Sequence, residues 1–413
     1  MNMNNSTDGQ ASIPVYQPTL GQAEWQNVQE CFQENWISSR GKFIDRFESQ
    51  FAQYVDADHA ITASNGTVAL HVALAALGIG PGDEVICPTL TYIASANAIT
   101  YTGATVVLAD CDRQTWQIDP VDIERRITPK TRAIMVVHLY GQPCDMEAIG
   151  RIARRHDLRV VEDCAEAIGA RIGSQHVGTF GDIATFSFYG NKTITTGEGG
   201  MVISRDSVLA DRVRHLKGQG LAADRQYWHD AIGFNYRMTN IAAAIGCGQM
   251  ERIDETLAQK RRIASWYRQQ LNDQFEFQLE TEGTTHGHWM NCLLVDRASE
   301  RDEIQQILKD QGIETRPVFY PIHTMPMYRG VQMDGTGNVD GTGNVDGPGH
   351  QTTEGCLPIE RPESMPNASE IAGRGINLPS HPSLRRSEVD RVCGELINAQ
   401  LRIREQPLRA RAA

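Results

Sequence analysis

Val160-Val161-Glu162-Asp163-Cys164-Ala165-Glu166-Ala167 is a short apolar run that ends on a carboxylate. Read outward, it is one of several such runs. His59–Ala63, Glu84–Cys87, Thr105–Leu108, Ala133–Val137, Arg159–Glu162, Ala184–Phe188 and Met201–Ser204 are β-branched or apolar and short. Helix-like stretches separate most of them: 68–77, 94–101, 121–126 and 146–156. Strands alternating with helices predict a mostly parallel central sheet with helices on both faces. In such sheets ligands lie beyond the carboxyl ends of the strands, so the residue just after each run matters most.

Three of these strand ends carry chemistry. Asn65-Gly66-Thr67 stands between a strand and a helix. A helix N-terminus there offers free N–H groups and the positive end of its dipole to a phosphate, and Gly66 allows close approach. A capped helix without a ligand explains the same residues. Asp163 ends its strand and could pair with a cationic ring nitrogen, or simply cap the next helix. Lys192 comes after the nearly continuous apolar run Thr185-Phe186-Ser187-Phe188-Tyr189-Gly190-Asn191. It is either a solvated charge or a desolvated amine suited to a Schiff base. Ser187 is within reach of a phosphate, and Gly197-Glu198-Gly199-Gly200 would let the backbone approach a ligand. Tyr92 either stacks on a ring or fills the core. Together the three strand ends supply an anion site, a carboxylate and an amine, which are the groups that pyridoxal phosphate requires.

Composition limits the alternatives. The 413 residues predict two or three domains. Lys and Arg number 39 against 51 Asp and Glu, a net charge of −12, which argues against nucleic-acid binding and anionic membranes. Nine cysteines without a CxxC pair read as reduced thiols, and no metal site is expected. The polar stretch 1–12 lacks the features of a signal peptide, and no apolar stretch approaches the roughly 18 residues of a membrane span. A cytoplasmic protein is the expectation. Residues 1–20 read as a tail, 21–250 as a large cofactor-binding domain and 251–413 as a small α+β domain. A single long bridging helix is predicted over 241–270. Asp334-Gly335-Thr336-Gly337-Asn338-Val339 is repeated at 340–345, so about 329–367 reads as a flexible insertion rather than a calcium site.

With these residues in view, the chain resembles the DegT/DnrJ/EryC1/StrS sugar aminotransferases. Asn65-Gly66-Thr67, Glu162–Ala167, Phe186–Lys192 and Gly197–Gly200 carry the likeness. So do Trp36-Ile37-Ser38-Ser39, Tyr92–Asn97, His138-Leu139-Tyr140-Gly141-Gln142, Gly233–Asn240 and Arg316–His323. The match spans about 12–330 and resumes at about 368–400; the 329–367 insertion departs from it.

The resemblance implies a fold-type I, pyridoxal 5'-phosphate-dependent enzyme. Lys192 matches the lysine that binds the cofactor covalently and moves the proton. Asp163 matches the partner of the pyridine nitrogen, Glu166 a polar neighbour of the ring hydroxyl, and Tyr92 the stacking aromatic. Gly66, Thr67 and Ser187 match the phosphate site, to which Asn235 would be contributed by the neighbouring subunit of a homodimer with shared active sites. Tyr320, His323 and Arg316 fall in the segment that resembles the sugar-nucleotide wall; Arg316 could bind a diphosphate or form a surface ion pair. The implied substrates are L-glutamate and a keto-sugar nucleotide, with GDP-4-keto-6-deoxy-D-mannose the first choice. There are three rivals: a dTDP- or UDP-linked sugar, a dehydratase of the same fold that would carry His at position 192, and a non-catalytic regulator that would lack Lys192, Asp163 or Ser187.

Overall fold

The computed structural model describes residues 11–328 and 365–405. The glycine-rich repeat and nearly all of the 329–367 insertion lie outside the described residues. The main sheet has seven strands, in the spatial order His59–Ala63, Gly200–Ser204, Ile183–Ser187, Arg159–Asp163, Thr131–Val137, Glu84–Pro88 and Thr105–Ala109. Only Gly200–Ser204 runs against its neighbours. The mostly parallel sheet expected from the alternating pattern is present.

Its strands are buried on both faces, which is why they read as unbroken apolar runs. Alternate residues feed different cores. Val85 and Cys87 face one cluster with Leu74, Ile99 and Val202, whereas Ile86 faces another with Ile134 and Ile149. Phe186, Met201 and Ile203 meet helix Lys42–Val55, whose Phe43, Phe47, Phe51 and Val55 recur every four residues on one stripe. Phe51 stacks edge-on against Phe186 at 4.9 Å between centroids. Each such buried side chain contributes about 1.5–3 kcal/mol.

The helix expected over 241–270 is two helices, Asn240–Met250 and Ile253–Leu271. The break is tertiary. The Arg252 guanidinium reaches back to Glu24 Oε1 at 2.6 Å, and its backbone leaves the helical region at φ −126°, ψ 20°. The second helix then turns to pack against helix Arg386–Glu405 and a four-stranded antiparallel sheet. That sheet joins Glu276–Phe277, Asn291–Leu294, Gly375–Leu378 and Arg316–Pro317 in that order.

Residues 11–16, expected in a tail, are packed chain instead. Ile13 pairs with Ile313 as an isolated bridge, and Ile13 and Val15 are buried. The Val15 amide donates to Glu314 Oε2 at 3.0 Å, and the Tyr16 hydroxyl donates to the Lys192 carbonyl at 2.5 Å. Among the described residues no helix is long and apolar enough to cross a membrane, and the eight described cysteines are free and buried.

Lys260 is buried to 1% exposure, and its ammonium donates to the Trp289 and Ser380 carbonyls at 3.1 and 2.8 Å. Burial pulls its pKa down to about 7. An unfolded lysine titrates near ~10.4, so between those values the unfolded chain holds a proton that the folded chain lacks. Stability therefore rises with pH across that window. Thermal melts of the wild type and Lys260→Met from pH 6.5 to 10 are expected to shift in favour of the wild type as pH rises. A difference that stays flat would refute the burial effect.

Candidate active site

The parallel strands end along one edge, and the connecting segments there converge. Strand His59–Ala63 leads into helix Gly66–Leu77, whose N-cap Asn65 accepts the Val68 amide at 3.0 Å. The amides of Gly66 and Thr67 come first in the helix and have no intrahelical acceptor. A Cβ on Gly66 would lie 2.8 Å from Ser187 Cβ, so only glycine lets the helix start against the end of strand Ile183–Ser187. Gly66→Ala would push Ser187 aside, and the affinity for pyridoxal phosphate is expected to fall about 10-fold or more, as for other overpacked sites. A fluorescence titration checks this; an unchanged dissociation constant would remove Gly66 from the cradle.

Asp163 is 4% exposed. Its Oδ2 accepts the Ser95 hydroxyl at 2.8 Å and its Oδ1 the Ala165 amide at 3.1 Å. It makes no ion pair among the described residues. Burial pushes its carboxyl above the ordinary range; the Ala165 and Ser95 bonds and the nearby Lys192 pull the other way. Glu166 is also buried and also raised by burial, with Lys192 and the Tyr140 amide opposing. The Lys192 ammonium lies 3.4 Å from Glu166 Oε1 and 3.8 Å from the centroid of the Trp289 ring. Its side chain is 11% exposed.

The floor behind these groups is aromatic. Tyr140 holds a left-handed conformation at φ 59°, a strain that persists only where surroundings enforce it. There its amide donates to Glu166 Oε2 at 2.9 Å, and its ring stacks on Trp289 and Phe319. Tyr92 stands 57% exposed, beside Phe319 at 5.6 Å between centroids, so a flat face is open to a ligand.

Beneath the site, Glu162 accepts the amides of Gly178, Phe180 and Gly181 and is bonded to His138 Nε2 at 3.0 Å. His138 Nδ1 accepts the Cys144 amide, so Nε2 carries the proton. Burial raises Glu162, but the His138 bond and the amides outweigh it and hold the carboxyl below the ordinary range.

The remaining sequence candidates are spread out. His323 Nδ1 meets Thr89 Oγ1 at 2.8 Å, and burial lowers the imidazole pKa. Tyr320 is half exposed, with its ring over the Arg301 guanidinium at 5.6 Å. Arg316 is exposed and pairs with Glu314 at 3.1 Å. Asn235 is exposed. Its neighbours Phe234 and Tyr236 stack together and pack against His71, and its backbone bridges to Gly218. Ser95, Tyr140 and Trp289 are site residues that the sequence does not mark as candidates. For Ser95 a signal exists: it lies three residues after Tyr92, in the first turn of helix Ala94–Tyr101.

These residues suit pyridoxal phosphate. Asp163 is a buried carboxylate with no ion pair among the described residues, the Gly66–Ser187 approach forms a cradle that a Cβ would fill, and the Lys192 amine is near enough to Asp163 to act on its charge. The sequence profile of the "DegT/DnrJ/EryC1/StrS aminotransferase family" matches residues 18–345. The chain belongs to that family. It is 52% identical over 386 residues to a GDP-perosamine synthase of Escherichia coli O157:H7, covering 94% of this chain and 98% of the relative. A GDP-perosamine synthase of Vibrio cholerae is 43% identical over 389 residues, covering 94% and 98%. Among solved structures, DesV of S. venezuelae in complex with a ketimine intermediate superposes with a TM-score of 0.79 at 31% identity, covering 93% and 95%.

Proposed function

We propose that this aminotransferase moves the amino group of L-glutamate to the 4-keto carbon of GDP-4-keto-6-deoxy-D-mannose, giving GDP-perosamine for O-antigen or another surface glycan. The convergence of Lys192, Asp163 and the Gly66 helix end carries the reaction class. The 52% identity to a GDP-perosamine synthase supports the choice of sugar.

Bound pyridoxal phosphate supplies an electron sink through which one amino group is stored and passed on. The chain's own residues do the rest. Lys192 holds the cofactor covalently and, once displaced, its Nζ carries a proton to and from the reacting carbon. Glu166 Oε1, 3.4 Å away, keeps that amine oriented. Asp163 keeps a proton on the ring nitrogen because a buried carboxylate gains most from a charged N–H partner. The first amides of helix Gly66–Leu77, Thr67 and Ser187 bind the phosphate. Tyr92 covers the ring and limits water. Asn235, exposed on its own chain, is assigned to the phosphate site of a second copy; the working unit in this reading is a homodimer with shared active sites, in the cytoplasm. Residues 21–250 form the cofactor domain, and 251–413 bring Tyr320 and His323 to the substrate.

The test is a spectrum and a substrate panel. A band near ~410–430 nm that is absent in Lys192→Ala, with 2-oxoglutarate formed from L-glutamate beyond one equivalent per site only when the GDP sugar is present, is the expected result. Turnover on a dTDP or UDP sugar instead would overturn the substrate. No band after adding pyridoxal phosphate would overturn the enzyme.

A further inference from the structure

We propose that Ser95 is a positioning residue for Asp163, through a relay in which Thr91 donates to Ser95 and Ser95 to the carboxylate that serves the cofactor ring nitrogen. The inference rests on the role given above to Asp163.

The geometry is specific. Ser95 is 1% exposed and Thr91 2% exposed. Ser95 Oγ lies 2.8 Å from Asp163 Oδ2 and 3.2 Å from Thr91 Oγ1. A serine hydroxyl has one proton. With the carboxylate ionised, that proton goes to Asp163, so the Thr91 hydroxyl must donate to Ser95. The direction of the relay is therefore fixed. Each Asp163 oxygen then has one protein donor, Ser95 on one and the Ala165 amide on the other. Charge-assisted bonds of this kind are about twice as strong as neutral ones, and in a buried site their loss is not made good by water.

The relay also joins two parts of the ring slot. Thr91 and Ser95 flank Tyr92, and the Ser95 amide donates to the Tyr92 carbonyl at 3.3 Å. One short turn thus carries the stacking face and anchors the carboxylate at the nitrogen edge. Other titratable groups act on Asp163 from the adjoining elements: Lys192, Glu166, His138, Cys87 and Cys164. Among the described residues, Ser95 is the side chain that donates a hydrogen bond to it.

Ser95→Ala removes one oxygen and suits a helix, so the fold should survive. Loss of a bond to a buried charge is expected to lower kcat about 10- to 100-fold, with KM for L-glutamate within about 2-fold. The pH transition of the visible band should move, and pyridoxal phosphate should bind more weakly. The deciding comparison is the double variant. In an Asp163→Asn background, Ser95→Ala should add under about 2-fold, because a residue acting through Asp163 has nothing left to act on. An equal loss in both backgrounds, or a lower melting temperature with kcat and the band unchanged, would overturn the proposal. Thr91→Val, nearly isosteric, is the second variant should Ser95→Ala fail to fold. A band transition shifted the same way supports the relay, and an unmoved one overturns it. If Asp163→Asn itself keeps full turnover, the functional reading fails. If it collapses turnover while Ser95→Ala does not, only this inference fails.

Discussion

Lys192→Ala is expected to lower turnover by ~10⁴-fold or more and to abolish the visible band, because the proposed function asks one side chain for both the covalent hold and the proton transfer. The loss should be chemical rather than structural. Lys192 is replaced by a small residue, and its neighbour Glu166 keeps the Tyr140 amide at 2.9 Å. Burial has already raised the Glu166 carboxyl, so without the ammonium it can take up a proton instead of standing as a buried charge. Circular dichroism and thermal melts should therefore show a folded variant, while single-turnover transfer from L-glutamate fails. A variant that retains even a tenth of the wild-type rate would remove Lys192 from its role.

Glu162→Gln is the variant with the largest expected effect on folding. The carboxylate, fully buried, accepts three backbone amides and the His138 proton. A glutamine offers one acceptor oxygen where two are used, and turns an NH2 group toward donors. Breaking a buried pair in this way costs about 3–5 kcal/mol. Domains have only about 5–15 kcal/mol in total, so urea denaturation should show a much lower midpoint, or the variant should fail to accumulate. An unchanged midpoint would mean that the amides of Gly178, Phe180 and Gly181 find other partners. Asp163 is the next residue along, so a displaced strand end would also weaken cofactor binding.

The main sheet was legible because its strands are short, apolar and buried on both faces, and each gives way to a turn. The same feature marked the candidate residues. Asp163, Glu166, Ser187 and Lys192 all stand at or just past a strand end, where a polar residue after an apolar run is visible without any structure. The features that stayed hidden depend on contacts across the chain. The break between Met250 and Ile253 arises from Arg252 meeting Glu24, 228 residues away. Ile13 and Val15 follow the polar stretch 1–12 and are separated by Pro14, too few apolar residues for a periodic signal. Trp289 and Tyr140 acquire their roles from stacking on each other, and neither has a local pattern that announces it. Arg316 shows the converse. An arginine in a recognisable segment was open to two readings, and its pairing with Glu314 is a matter of surface geometry.

The packed segment at residues 11–16 bears on the order in which the chain can fold. These residues leave the ribosome early, yet Val15 must wait for Glu314, 299 positions later, and Tyr16 for Lys192, 176 positions later. Closing such long loops is slow, so the segment should dock last, after the main sheet has formed. Pulse-labelled hydrogen exchange during refolding should find the amides of Ile13 and Val15 protected later than those of Val161 and Val202. A nascent chain halted before residue 313 would then have Lys192 in place but not yet fastened.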